Sequence, residues 1–201
     1  MAVLAGLAWR GLDGMLRARD GGQQAIERTA RLNTILAQWE QDLMALHDSG
    51  GVPVLAYDGQ TLRMTRTAPD GVALVAWSLR NGRWMRWTSP ATTRVEELQE
   101  SWLRSQQLLG NEPTQVLLLD GVDDWQIYFY RGNGWSNAQS TGDVAVVPVP
   151  AAAAAPASAA SGAAPAPAAE VREVLADGVR LVVTIGGATL TRDIVLGPHG
   201  P

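Results

Sequence analysis

Residues 1–48 read MAVLAGLAWR GLDGMLRARD GGQQAIERTA RLNTILAQWE QDLMALHD, and the spacing inside this stretch decides the fold. Leu4, Ala8, Gly11, Met15, Ala18, Gly22, Ala25, Thr29, Leu32, Leu36, Trp39, Leu43 and Leu46 advance in steps of four and three. Such steps keep side chains on one face of a single long helix. The face changes character halfway. From Ala8 to Ala25 it is mostly Gly and Ala, apart from Met15. From Leu32 onward it is Leu and Trp. Small residues let another helix backbone approach closely, the packing mode favoured in and near membranes. Bulky residues bury area, worth about 1.5–3 kcal/mol per fully buried side chain. The expectation is a two-part helix. Leu32, Leu36, Trp39, Leu43 and Leu46 pack on the chain's own sheet, and Leu4, Ala8, Gly11, Met15, Ala18, Gly22 and Ala25 form a seam for other chains. A helix built this way suits a subunit of an assembly.

Met1 to Trp9 carries no charge, and Arg10 ends the run. A membrane span needs about 20 apolar residues, so this run is too short to cross. It also lacks the basic region and small-residue cleavage site of a secretory signal. Two readings stay open: an ordinary buried helix start, or the tail of a membrane segment whose first part lies upstream.

The formal net charge of −4 and the absence of a basic patch argue against nucleic acid as a partner. All 16 basic residues are Arg. With no cysteine there is no disulfide framework, thiolate metal site or Cys nucleophile.

Downstream, Ser49-Gly50-Gly51 and Pro53 stop the helix. A β-rich domain over residues 49–201 follows. Strands are expected at Val52–Tyr57, Thr61–Thr67, Val72–Arg80 and Arg83–Thr88, with Asp58-Gly59 and Asn81-Gly82 as turns. In Val72–Arg80, Val72, Leu74, Ala76 and Ser78 share one face and Ala73, Val75, Trp77 and Leu79 the other. A second helix is expected from Thr93 to Leu109, started by a Thr93/Glu96 capping box, with Val95, Leu98, Trp102 and Leu109 as its apolar side and Gly110 just past its end. Val116–Leu119 and Trp125–Tyr130 are further strands, the first followed by an Asp120-Gly121 turn. Gly132-Asn133-Gly134 is another turn, with a strand from Trp135. Residues 148–169 are almost only Ala, Pro, Ser and Gly. Such a tract buries too little surface to offset its ordering entropy, and is expected to be a disordered insertion. Leu181–Ile185 and Ala188–Leu196 form a closing hairpin that must rejoin the sheet.

Catalytic chemistry is hard to find. His47 suits a helix C-terminus, and His199 lies in a Gly-Pro-rich tail. Asp123-Asp124 is the best carboxylate pair for calcium, read more simply as a charged turn. No catalytic, cofactor or metal residues are assigned. Trp77, Trp84, Trp87, Trp125 and Trp135 sit in or beside strands; core packing is the expectation, and an exposed row for sugar stacking or a protein interface is the alternative.

The residues in order resemble the minor pseudopilin J family of the bacterial type II secretion system. Val3-Leu4-Ala5-Gly6-Leu7-Ala8-Trp9-Arg10-Gly11-Leu12-Asp13 looks like the later part of that family's N-terminal helix. Arg31 to Leu43, with Trp39-Glu40-Gln41-Asp42-Leu43, resembles the segment where helix meets globular domain. Leu118-Leu119-Asp120-Gly121-Val122, the aromatic strand and Trp135 are similar too, as is Gly178-Val179-Arg180-Leu181-Val182-Val183 with Leu190-Thr191-Arg192. The likeness spans nearly the whole chain outside the Ala/Pro tract. The family's processing signature, Gly-Phe followed within a few residues by Glu at the head of a long apolar run, is missing, which places the expected precursor start upstream.

The resemblance implies a pilin-like α+β fold, with a long N-terminal helix packed on antiparallel sheet and one additional helix. It implies no enzymatic activity and no cofactor. It implies a place in the pseudopilus tip beside minor pseudopilins I and K, contact with secreted protein substrates, and a periplasmic domain held at the inner membrane before assembly. A minor pilin of a type IV pilus and a secreted carbohydrate-binding module are the competing expectations.

Overall fold

The computed structural model describes residues 2–139 and 175–197, with side chains described from Gly14 onward. The Ala/Pro tract at 148–169 lies outside the described residues, as does His199. Helix α1 (Ala2–Met44) is followed by β1 (Leu55–Tyr57), β2 (Thr61–Ala68), β3 (Gly71–Arg80), β4 (Arg83–Thr88), helix α2 (Val95–Ser105), β5 (Gln115–Asp120), β6 (Val122–Arg131), β7 (Gly134–Asn137), β8 (Gly178–Ile185) and β9 (Ala188–Val195). The architecture is α+β: a long N-terminal helix and a second helix on two antiparallel sheets, as the sequence led us to expect. No described helix is long and apolar enough to cross a membrane.

One sheet runs β1-β2-β3-β4-β5 and the other β7-β6-β8-β9. The first keeps chain order, with short turns joining β1 to β4 and α2 inserted between β4 and β5. Asn81 (φ 51°) and Gly82 (φ 72°) both take the left-handed conformation that a two-residue hairpin between twisted strands requires. Asp120-Gly121 turns the chain, but not into a hairpin. Gly121 (φ 70°) carries it from β5 at the edge of the first sheet to β6 in the second.

β3 has two apolar faces, and both are covered. Val75 and Trp77 join a core that contains Ile35, Trp39 and Leu43 of α1, Leu62 and Met64 of β2, and Ile127, Phe129, Leu181 and Val183 of the second sheet. Leu74 and Ala76 face the other way and pack with Trp87, Leu98 and Leu108 beneath α2. The layers are therefore α2, the first sheet, then α1 with the second sheet. Trp39, Trp77, Trp84 and Trp125 close a ring of tilted and edge-on contacts in the main core, with centroids 5.2–6.1 Å apart.

α2 departs from the expected bounds. Thr92 pairs with Val72 through both backbone groups, at 2.8 and 2.9 Å, so the chain is still extended there. The helix starts at Val95 with Arg94 as N-cap, and no side chain caps it. The Thr93/Glu96 box does not form. Instead Thr92 Oγ1 accepts from the Arg94 N–H at 3.0 Å and donates to Glu97 at 2.5 Å. At the other end Arg63 reaches from β2 to the Ser105 Oγ (3.1 Å) and carbonyl (3.3 Å), and the helix stops there. The chain then tightens through Gln106 and Gln107. That shift buries Leu108 and leaves Leu109 79% exposed. Val95 is exposed as well, leaving Leu98 and the half-buried Trp102 as the inward residues.

Candidate assembly interface

α1 divides by surroundings. Trp39 and Leu43 are buried, and Leu32, Leu36 and Leu46 are partly buried against the same core. Leu46 lies beyond the helix, in a bridge to Arg66 of β2. Ile35, outside the four-and-three series, is 4% exposed and belongs to the core. The docked stripe is thus wider than a strict seam, as a helix lying on a sheet requires. Polar contacts tie this section to both sheets. Arg31 donates to the Leu117 carbonyl of β5 at 3.4 Å, and Arg192 of β9 pairs with Glu40 at 2.8 Å.

Every described side chain from Gly14 to Arg31 is exposed. Met15 is 73% exposed, and Ala18, Gly22 and Ala25 are also in solvent. Leu16 (48%) and Ile26 (65%) add apolar surface one position on from Met15 and Ala25, so the open face is broader than the small-residue seam. A Cβ at Gly14, Gly21 or Gly22 would meet nothing within 4 Å. The backbone of Leu4, Ala8 and Gly11 is helical; their side chains lie outside the described ones.

Near the C-terminal end of the docked part, between the helix and the first sheet, sits a cluster that the sequence did not disclose. Asp42 is fully buried. Its Oδ2 accepts from Trp77 Nε1 (2.8 Å) and Arg86 Nε (2.7 Å). Its Oδ1 accepts from Arg86 Nη2 (2.9 Å), Gln38 Nε2 (3.1 Å) and Arg66 Nη1. Three strands, β2, β3 and β4, thereby converge on one helical carboxylate. α1 has no basic residue in its last turn. Arg66 and Arg86 supply the positive charge that its C-terminal carbonyls and Asp42 both favour. Nothing local marks which of the chain's carboxylates turns inward.

The other candidates are structural. Four of the five strand-associated tryptophans, Trp77, Trp84, Trp87 and Trp125, are buried. Trp135 is 37% exposed, lies 5.3 Å from Tyr130, and carries the Arg180 guanidinium 4.2 Å from its ring centroid. An exposed tryptophan row for sugar is therefore absent from the described residues. Asp123 accepts the Gly187 N–H at 3.0 Å, and Asp124 bonds Gln126, so the pair works as turn and strand polarity. No group of three or more metal-ligating side chains gathers among the described residues. The His47 N–H donates to the Thr65 carbonyl, extending the contact of the helix end with β2. A polar cleft of about 260 Å³ lined by Tyr57, Asp124, Gln126, Asn137 and Gln139 falls below the usual size of ligand pockets. Beside it, burial, then Asp124 and Asp58, push the Tyr57 hydroxyl up to about 12, and it donates to the Gly59 carbonyl.

No family model matches the chain, and no curated protein does. Among solved structures, one similar chain belongs to the GspK-GspI-GspJ complex from the enterotoxigenic Escherichia coli Type 2 Secretion System. It is 13% identical, the match covers 86% of this chain and 98% of that one, and the TM-score is 0.48.

Proposed function

We propose that this chain is a minor pseudopilin of the J type, a non-enzymatic subunit of the pseudopilus tip in a type II secretion system. The observation that carries this reading is the divided helix. Its last three turns are docked in the core, while residues 14–31 stand in solvent with Ala18, Gly22 and Ala25 uncovered. A helix with this much open small-residue face has a use when other helices pack on it. The ordered resemblance adds weight, because Trp39-Glu40-Gln41-Asp42-Leu43 falls where helix meets head. In this reading the helix packs among those of minor pseudopilins I and K, the tip seeds fibre growth, and growth helps move folded proteins across the outer membrane. The head resides in the periplasm, and the subunit is held at the inner membrane before assembly.

The test is co-purification with pseudopilins I and K. Gly11→Leu and Ala18→Leu should each weaken recovery of the partners while leaving the thermal melt of the head unchanged. Full recovery in both variants would overturn the proposal. Recovery with the pilins of a type IV pilus instead would assign the same helix to a different machine.

A further inference from the structure

We infer that Asp42 is a register pin: it fixes where α1 sits along its own axis on the two sheets. The inference is independent of the proposed function. The apolar residues that dock the helix recur every three or four positions, at Leu32, Ile35, Leu36, Trp39 and Leu43. Sliding the helix by one turn, about 5.4 Å, sets most of them onto one another's sites. Burial of apolar area is non-directional, so this stripe resists such a slide chiefly through the size of Trp39. Asp42 is different. Its two oxygens accept five hydrogen bonds from Gln38, Arg66, Trp77 and Arg86, and three of those residues are fixed in separate strands. One turn of slip would part the buried carboxylate from Trp77 and from both arginines, leaving it only the Gln38 bond that travels with the helix.

Buried ion clusters are weak devices for stability, since well-packed apolar replacements often do as well, and their best-attested use is to select one register among several. The surroundings fit that use. Arg66 is also the strand residue bridged by Leu46, and flanking backbone bonds run from Thr67 N–H to the Ala45 carbonyl and from His47 N–H to the Thr65 carbonyl. The end of the helix, its exit strand and the Asp42 cluster therefore form one lock on β2. The helix beyond it, exposed from Gly14 to Arg31, has its height above the head set at this point.

The full chain has no cysteine, so paired spin labels can be placed cleanly. Gln23→Cys on α1 is paired with Ala188→Cys on β9 or with Asp70→Cys at the β2–β3 turn, all three positions being exposed. The parent chain should give one narrow distance for each pair. Asp42→Leu, and the apolar triple Asp42→Leu/Arg66→Met/Arg86→Met, should add a second population displaced by about one helical turn in at least one pair. The triple guards against a single variant that does not fold. A folded triple with the parent distances would overturn the inference, because the stripe and the Ala45–His47 bridge would then suffice. Failure of both variants to fold would also overturn it, making the cluster a requirement of the fold itself.

Discussion

At the scale of the residue, two neighbours on α1 do opposite kinds of work. Trp39 is fully buried and stacks edge-on with Trp77 and Trp125. Truncating it leaves a cavity walled by rigid rings that cannot collapse, so Trp39→Ala should lower stability by about 3–5 kcal/mol. Leu36 is only partly buried, and Leu36→Ala should cost less, about 1–2 kcal/mol. Denaturant titration of the two variants checks the order as well as the size. Trp39 was legible from its place in a periodic stripe. Asp42 was not, because its partners Arg66, Trp77 and Arg86 lie 24, 35 and 44 positions away and only the folded sheet brings them together. Titration at the β1–β2 turn belongs to this scale too. Burial pushes the Asp58 carboxyl up, but bonds from the Gln60 N–H, Arg63 and the Thr61 N–H outweigh it and hold it below the ordinary 3.8. A depressed carboxyl gives stability that is present above its unfolded value and fades as pH falls through the folded one. Tyr57, pushed up to about 12, runs the other way: its contribution is whole below about pH 10 and is lost as pH rises towards 12. Asp58→Asn should flatten the acid limb of a stability–pH curve and, because the Asp58 charge helps to raise Tyr57, also reduce the alkaline limb, whereas Tyr57→Phe should flatten the alkaline limb and leave the acid limb as it was.

At the scale of the element, α1 combines a docked end with an open stretch that carries adjacent glycines at Gly21 and Gly22. Glycine in a helix interior weakens it by roughly 0.5–1 kcal/mol relative to alanine, because the unfolded backbone is freer. Neither position touches anything within 4 Å. Gly21→Ala/Gly22→Ala should therefore raise helical ellipticity and slow amide exchange around residues 19–25, with no change in the melt of the head. Slower exchange in the head as well would mean that the two parts unfold together. Long periodic elements were the most readable from sequence, and β3 kept its two faces and its end at Arg80, starting one residue earlier than expected, at Gly71. α2 was less so. Its start is set by the Val72–Thr92 bridge and its end by Arg63 on Ser105, both tertiary contacts that override a local capping signal. The exposure of Val95 and Leu109 follows from those two boundaries.

At the scale of the whole molecule, the placement of β7 and β8 decides what the intervening chain must do. Both pair antiparallel with β6, one on each side, so they run parallel to each other: Tyr130 lies opposite Trp135 on β7 and Gly178 on β8. Parallel strands cannot be joined by a tight hairpin turn. The end of β7 and the start of β8 therefore lie on opposite sides of β6, two strand spacings or about 10 Å apart, with Gly178 back at the level of Tyr130. Sequence alone identified an Ala/Pro tract and placed it inside one domain, but it could not give this strand order. The order sharpens what deletion should do. Replacing residues 148–169 with a short Gly-Ser turn leaves 140–147 and 170–174, a reach of roughly 40 Å, ample for the crossing. Loop-closure entropy changes slowly with length, so the melt should stay within a few degrees of the parent. Joining Gln139 to Leu175 through two residues should not be tolerated, because the link cannot pass β6 without pulling β7 or β8 off it. The readouts are thermal melts of both deletions and, as a test of the proposed function, export of a type II substrate by the shorter one. A collapsed melt in the first deletion would show that the tract is packed structure. A normal melt with lost export would make it a binding segment, and a normal melt in the second deletion would contradict the strand order itself.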